Sequence, residues 1–91
     1  MEKEKIQVIV DLYKNKFLEM NIPKIKNPHS QNFTLESAVK YLGFCHYMVD
    51  EIEELIEKDD LEQAEKCLAF IKGVLWSIGV YTLEELRNQK K

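Results

Sequence analysis

The acidic residues of one predicted helix have a spacing that could hold a divalent metal ion. Glu51, Glu54 and Glu57 follow one another at intervals of three residues, so their carboxylates lie near one another on a helix surface. Carboxylate oxygens are the ligands that Mg²⁺ takes from proteins. A helical enzyme that held Mg²⁺ with these carboxylates would also need an acidic pair on the facing helix. The facing segment 67–74 contains no acidic residue. A solvated acidic surface is therefore the favoured interpretation, with no catalytic residue, metal site or cofactor.

The cysteine and histidine residues do not have the spacing of a metal site. The chain contains two of each, with neither a CxxC nor an HxxxH pattern. Cys45 falls on an apolar helical face, and Cys45 and Cys67 are both expected to be free thiols. His46 and Asp50 are four residues apart and are expected to pair on an exposed helix surface.

A set of cationic and aromatic side chains suits the binding of a small anion. Residues 50–65 contain nine acidic residues and one lysine, a net charge of −8, whereas residues 66–91 have a net charge of +3. A helical hairpin would separate this acidic tip from a basic open end, where aromatic rings beside cations suit a nucleotide. An ordinary solvated rim is the alternative. The predicted ligand-binding residues are Lys40, Tyr41, Lys72, Trp76, Tyr81 and Arg87, with Lys24, Lys26 and His29 expected nearby.

The N-terminal part of the chain predicts a helix followed by a linker. Apolar residues of segment 4–20 recur at helical spacing. The alternation of Ile6, Val8, Val10 and Leu12 also fits a strand, but the length of the segment favours a helix. Residues 21–33 contain two prolines and are predicted to be a linker. The predicted buried face consists of Ile6, Ile9, Val10, Tyr13, Phe17 and Met20.

Two heptad patterns predict an antiparallel helical hairpin over residues 34–78. Thr34 is the expected N-cap of the first arm, and Asp59 with Glu62 resembles a capping box at the start of the second. The seam of the first arm consists of Leu35, Ala38, Leu42, Cys45, Val49, Ile52 and Ile56. The seam of the second arm consists of Leu61, Ala64, Leu68, Ile71, Leu75 and Ile78.

The second arm has a well-marked end and a surplus of apolar side chains. Gly79 suits the left-handed position of a Schellman motif, and Thr82 with Glu85 predicts a capping box at the start of a short last helix. Phe70 and Trp76 lie off the seam, and Gly73 would allow another backbone to approach closely. The arm can be the central core helix, and a homo-oligomer through this face is also expected.

Composition and charge restrict the class of protein. A chain of 91 residues makes one domain, and its net charge of −3 makes nucleic-acid binding an unfavoured function. No stretch is apolar enough for a secretion signal or a membrane span, so a cytoplasmic location is expected, in the host cell if a phage encodes the chain.

The residues from Leu68 to Arg87 carry a family resemblance. They read Leu-Ala-Phe-Ile-Lys-Gly-Val-Leu-Trp and continue through Gly79, an aromatic residue, Thr82 and an acidic pair. This segment resembles small uncharacterised helical proteins of bacteriophages and prophages, as does segment 47–52. In that group Gly and Gln stand where this chain has Ala69 and Lys72. The matching residues are Phe70, Gly73, Leu75, Trp76, Gly79, Tyr81, Thr82 and Arg87.

The resemblance implies a protein that acts by stoichiometric binding, by inhibiting a host defence component or sequestering an anionic nucleotide signal. The combined prediction is a single all-α domain over residues 1–91. In it, a helical hairpin packs with an N-terminal helix and a short C-terminal helix, and the protein is a non-enzymatic homo-oligomer. The alternatives are a Mg²⁺-dependent enzyme of the helical nucleotide-pyrophosphohydrolase kind, using Glu51, Glu54 and Glu57, and a structural or regulatory protein-interaction module.

Overall fold

Four helices form the regular secondary structure of the described chain. The computed structural model describes residues 2–26 and 35–89, and within these ranges it contains no strand. The predicted all-α bundle is therefore confirmed. The expected cap Thr34 and the loop residue His29 lie outside the described residues. The helices are α1 (Lys3–Glu19), α2 (Leu35–Glu57), α3 (Leu61–Ile78) and α4 (Leu83–Asn88).

Helix α1 buries the face that its apolar spacing predicts. Ile6, Ile9, Val10, Tyr13 and Phe17 are all buried, so the period of the helix, and not the alternation of a strand, decides which side chains face the core. The inclusion of Met20 in this face was wrong. The helix ends at Glu19, and the Met20 side chain is 38 % exposed.

The seams of α2 and α3 face each other in an antiparallel hairpin, as predicted. The buried α2 positions include Leu42, Val49 and Ile52, and the buried α3 positions include Leu68 and Leu75. Because these positions recur with a heptad period, each helix presents one continuous apolar stripe to its neighbour.

The turn between the two arms differs from the prediction by one residue. The N-cap of α3 is Asp60, whose carboxylate accepts a hydrogen bond from the Gln63 N–H at 3.3 Å. The assignment of Asp59 as the cap was wrong, because Asp59 adopts a φ of 62° and forms part of the turn itself. Aspartate tolerates this left-handed conformation better than most residues, which suits it to the turn.

The predicted stop of α3 and start of α4 are confirmed. Gly79 has a φ of 89°, and the N–H of Val80 donates to the Leu75 carbonyl at 2.9 Å, which completes a Schellman motif. The Thr82 hydroxyl accepts from the Glu85 N–H at 3.1 Å, and the Glu85 carboxylate accepts from the Thr82 N–H at 3.0 Å. This capping box starts α4 at Leu83, a few residues after the end of α3.

Helix α1 is held against the hairpin along its length. The Lys14 ammonium pairs with the Glu53 carboxylate at 3.2 Å. The buried Tyr13 hydroxyl donates to Gln89 at 2.6 Å, and the Tyr13 ring lies 5.9 Å from the ring of Tyr81. Burial raises the pKa of Tyr13 well above its usual value. This side chain therefore ties α1 to the C-terminal part of the chain.

The chain that leaves α1 crosses the surface of α2 at Gly43. The Ile25 N–H donates to the Gly43 carbonyl at 3.0 Å. A side chain at position 43 would lie 2.6 Å from the Ile25 side chain and 2.9 Å from the carbonyl oxygen of Pro23. Glycine is therefore required at this position for close approach of the two backbone segments.

His46 anchors the same segment and is not on the exposed surface. Its Nδ1 lies 2.7 Å from the Ile22 carbonyl, which only accepts, so Nδ1 carries the proton. The His46 ring is buried and lies 5.3 Å from the ring of Phe17. The predicted surface pair of His46 with Asp50 was therefore wrong. Asp50 pairs instead with Lys24, with an N–O distance of 2.9 Å.

Candidate functional site

The candidate site is the side of α3 that points away from the core. Ile71 and Leu75 are fully buried, and Gly73 lies between them in sequence, nearly opposite them around the helix. Phe70 and Trp76 are three residues to either side of Gly73 and are 46 % and 51 % exposed. We call this surface the outer face of α3 and define it by five exposed residues: Ala69, Phe70, Gly73, Trp76 and Ser77.

Two aromatic residues of α2 extend the outer face of α3. The Phe44 ring meets the Phe70 ring edge-on, with a centroid distance of 6.1 Å, and lies 6.4 Å from the Tyr47 ring. Phe44 and Tyr47 are both only partly buried. They were not among the predicted site residues, although their position off the heptad seam of α2 was a signal for exposure. Together the rings form a partly exposed aromatic surface across both arms of the hairpin.

The centre of the outer face of α3 is not covered by any other part of the described chain. A side chain built at Gly73 would have no atom within 4 Å, so no described residue uses the close approach expected at this position. Helix α1 packs on α2 and on the opposite side of α3, and it leaves Phe70 and Trp76 about half-exposed. Both of the exposed large aromatic side chains in the described residues therefore belong to this one face.

The six predicted ligand-binding residues lie at the open end of the hairpin, but they are on different sides of that end. Lys40 and Tyr41 lie in α2 near its start, and Lys72 and Trp76 lie four residues apart on α3. Phe70 marks the side of α3 towards α2, because its ring meets the Phe44 ring. Trp76 is about 120° from Phe70 around the helix. Lys40 is one helical turn from Phe44, which meets Phe70, whereas Lys72 is about 160° from Phe70 around α3. Lys72 is therefore on the flank of α3 away from Lys40.

The other two predicted ligand-binding residues have different surroundings. Tyr81 is partly buried against Tyr13, and burial together with the Glu85 carboxylate raises the pKa of Tyr81. Arg87 is exposed on α4. A cavity of about 360 Å³ does open at this end of the bundle, but it contains none of the six. Its lining residues are Lys16, Met20, Leu42, Ile78, Gly79 and Val80.

The acidic residues of α2 are not brought together as a ligand set. Glu51, Glu54 and Glu57 are exposed, and each is about 60° around the helix from the one before, so that Glu51 and Glu57 are about 120° apart. Among residues 2–26 and 35–89, no group of three or more His, Cys, Asp or Glu side chains has the geometry to hold a metal ion. Glu53 and Asp50, from the same acidic run, form ion pairs with Lys14 and Lys24.

Both cysteines are free thiols, as predicted. Cys45 is fully buried, and the loss of solvation raises its pKa from 9.0 to about 12. Cys67 is partly buried, and burial together with the nearby Glu51 carboxylate raises its pKa as well. Nucleophilic reactivity belongs to the thiolate, so these environments keep both side chains in the unreactive form.

In the part of the chain that the structure describes, no helix has the length and apolar character needed to cross a membrane. Comparisons with family models, with curated proteins and with solved structures find no match to this chain.

Proposed function

We propose that the protein is a non-enzymatic binding protein and that the outer face of α3 is its contact surface for a protein partner. The observation that carries this proposal is the exposure of Phe70 and Trp76 on either side of an open Gly73. The resemblance to phage proteins adds a candidate class of partner, a host defence component.

The energetics of the exposed rings support a docking surface. Fully burying a large apolar side chain is worth about 1.5–3 kcal/mol, and aromatic residues at the centre of an interface often dominate its binding energy. The core of the bundle is complete without this face, because Leu68, Ile71 and Leu75 already fill the inner side of α3. The two rings are thus available to a partner at no cost to the fold.

A photo-crosslinking amino acid at Ser77 tests the proposal in bacterial cells. Ser77 is exposed at the edge of the outer face of α3, so a bound partner is within reach of the probe. We expect crosslinks to a protein that peptide mapping identifies, and their loss when Phe70→Ser and Trp76→Ser are added. The control places the same probe at Val8, which is 66 % exposed on α1. Absence of a crosslink from position 77, or equal crosslinking from position 8, contradicts the proposal.

A second candidate function is the binding of an anionic nucleotide. Lys72 and Trp76 stand four residues apart on α3 and so place a cation and an aromatic ring side by side. Melting temperatures measured with a panel of linear and cyclic nucleotides test this candidate. A ligand at 100 times its dissociation constant adds about 2.7 kcal/mol to the free energy of unfolding. We expect a binding nucleotide to raise the melting temperature of the wild type and not that of Lys72→Gln. Unchanged melting with every nucleotide contradicts it.

A further inference from the structure

We infer that the occupant of the outer face of α3 is a second copy of this chain, with the two α3 helices antiparallel and crossing at Gly73. This inference rests on the proposed function and takes a second copy, in place of a host protein, as the partner at the same surface. Three properties of the face support it: its symmetry about Gly73, its shape and the distribution of charge along the hairpin.

The outer face of α3 is arranged symmetrically about Gly73. Phe70 lies three residues before Gly73 and Trp76 three residues after it. Around the helix, the two side chains are about 60° from Gly73 on opposite sides of it. A two-fold axis at Gly73 places each Phe70 level with the Trp76 of the second copy. The rings then flank both edges of the contact. The same patch of each copy forms the contact, as the interface of a two-fold dimer requires.

The centre of the face is flat enough for two helices to approach closely. Ala69, Gly73 and Ser77 recur every four residues and form a row of small side chains between the two rings. At Gly73 there is no atom within 4 Å of the position of a side chain, so the surface there is open to another backbone. Interhelical distances depend on the side chains at the contact, and small ones allow the shortest.

The charge distribution decides the direction of the second helix. A parallel pair would bring together two hairpin tips, each with a net charge of −8 over residues 50–65. An antiparallel pair crossing at Gly73 places the two acidic tips at opposite ends of the dimer, so that neither tip faces the other. Like charges repel across an interface, so the antiparallel arrangement is favoured.

The tryptophan fluorescence of the full chain tests the dimer directly, because Trp76 is the only tryptophan. As the protein concentration rises, we expect the emission of Trp76 to shift to shorter wavelength. Light scattering should show the mass rising towards twice 10.8 kDa over the same range. Gly73→Lys should weaken dimerisation at least tenfold and still fold, because position 73 is open within one chain. Val8→Lys, on exposed α1 surface, is the control and should dimerise like the wild type.

Spin labels measure the direction of the two helices. With Cys45 and Cys67 replaced by alanine and a label at Glu62→Cys, an antiparallel crossing at Gly73 separates the labelled backbone positions by about 33 Å along the helix axis. A parallel pair would bring them to about 10 Å. Light scattering first verifies that this variant is dimeric. If it is not, the label is placed in the wild-type cysteine background, where Cys45 is buried and Cys67 partly so.

The outcomes separate this inference from the proposed function. A chain that stays monomeric at every concentration, with unshifted Trp76 emission, overturns the dimer. A short distance between the labels overturns the antiparallel direction. If position 77 crosslinks to a different protein while the chain is monomeric, the proposed function stands and only the identity of the partner is wrong.

Discussion

Replacing Gly43 by alanine is expected to lower the free energy of unfolding by about 1–2 kcal/mol, although alanine is the better helix former. The new methyl group would lie 2.9 Å from the Pro23 carbonyl oxygen and closer still to the Ile25 side chain. The Ile25 side chain can rotate, but the backbone of Pro23 can move only if the segment lifts from α2. That movement strains the hydrogen bond from the Ile25 N–H to the Gly43 carbonyl. Urea unfolding followed by circular dichroism measures the loss.

The chain provides its own control in Gly73, the other glycine inside a helix. Position 73 has open space around it, so Gly73→Ala gains helix propensity without a clash. At protein concentrations low enough to keep the chain monomeric, we expect Gly73→Ala to raise the free energy of unfolding by about 0.5–1 kcal/mol. The opposite signs at the two positions isolate the effect of the backbone crossing. Equal changes at both would show that the segment does not press on α2.

The buried thiol of Cys45 is expected to make the protein sensitive to alkaline pH. Burial raises the pKa of Cys45 from 9.0 to about 12. The unfolded chain therefore releases this proton at lower pH than the folded chain does. The contribution of the protonated Cys45 thiol to the free energy of unfolding is complete below pH 9. It is lost as the pH rises from there towards 12, at about 1.4 kcal/mol per pH unit and about 4 kcal/mol in all.

The comparison of the wild type with Cys45→Ala isolates this contribution. Tyrosines and lysines titrate in both proteins, so their effects cancel in the difference between the two free energies of unfolding. Urea unfolding at pH values from 8 to 10.5 should show the wild type losing its advantage over Cys45→Ala above pH 9. Cys67→Ala is the matched control and should change less, since Cys67 is only partly buried. A constant difference across this pH range would contradict the assignment.

The sequence alone determined the three long helices and which side of each faces the core. Val49 and Ile52 in α2 and Leu68 and Leu75 in α3 were predicted from heptad spacing and are buried. The reason is that side-chain direction along a helix follows from the local repeat of the backbone. The stop at Gly79 was predictable for the same reason, since it depends on residues close in sequence.

The candidate site was predictable only in part. The surplus of apolar side chains on α3 indicated Phe70 and Trp76, and the structure leaves both about half-exposed. Their extension by Phe44 of α2 depends on the rotation of one helix relative to the other. The six predicted ligand-binding residues share one end of the hairpin, but Lys40 and Lys72 lie on different sides because that rotation also sets which flank each lysine occupies.

Only the tertiary structure decided the roles of Gly43 and His46. Glycine in a helix can have several causes, and the crossing of Ile25 over Gly43 joins residues far apart in the chain. His46 looked like a surface residue beside Asp50, yet its imidazole is buried against Phe17 and bonded to the Ile22 carbonyl. Periodicity describes one helix at a time, whereas these contacts depend on where a linker without a repeat returns to the bundle, and no local pattern specifies that path.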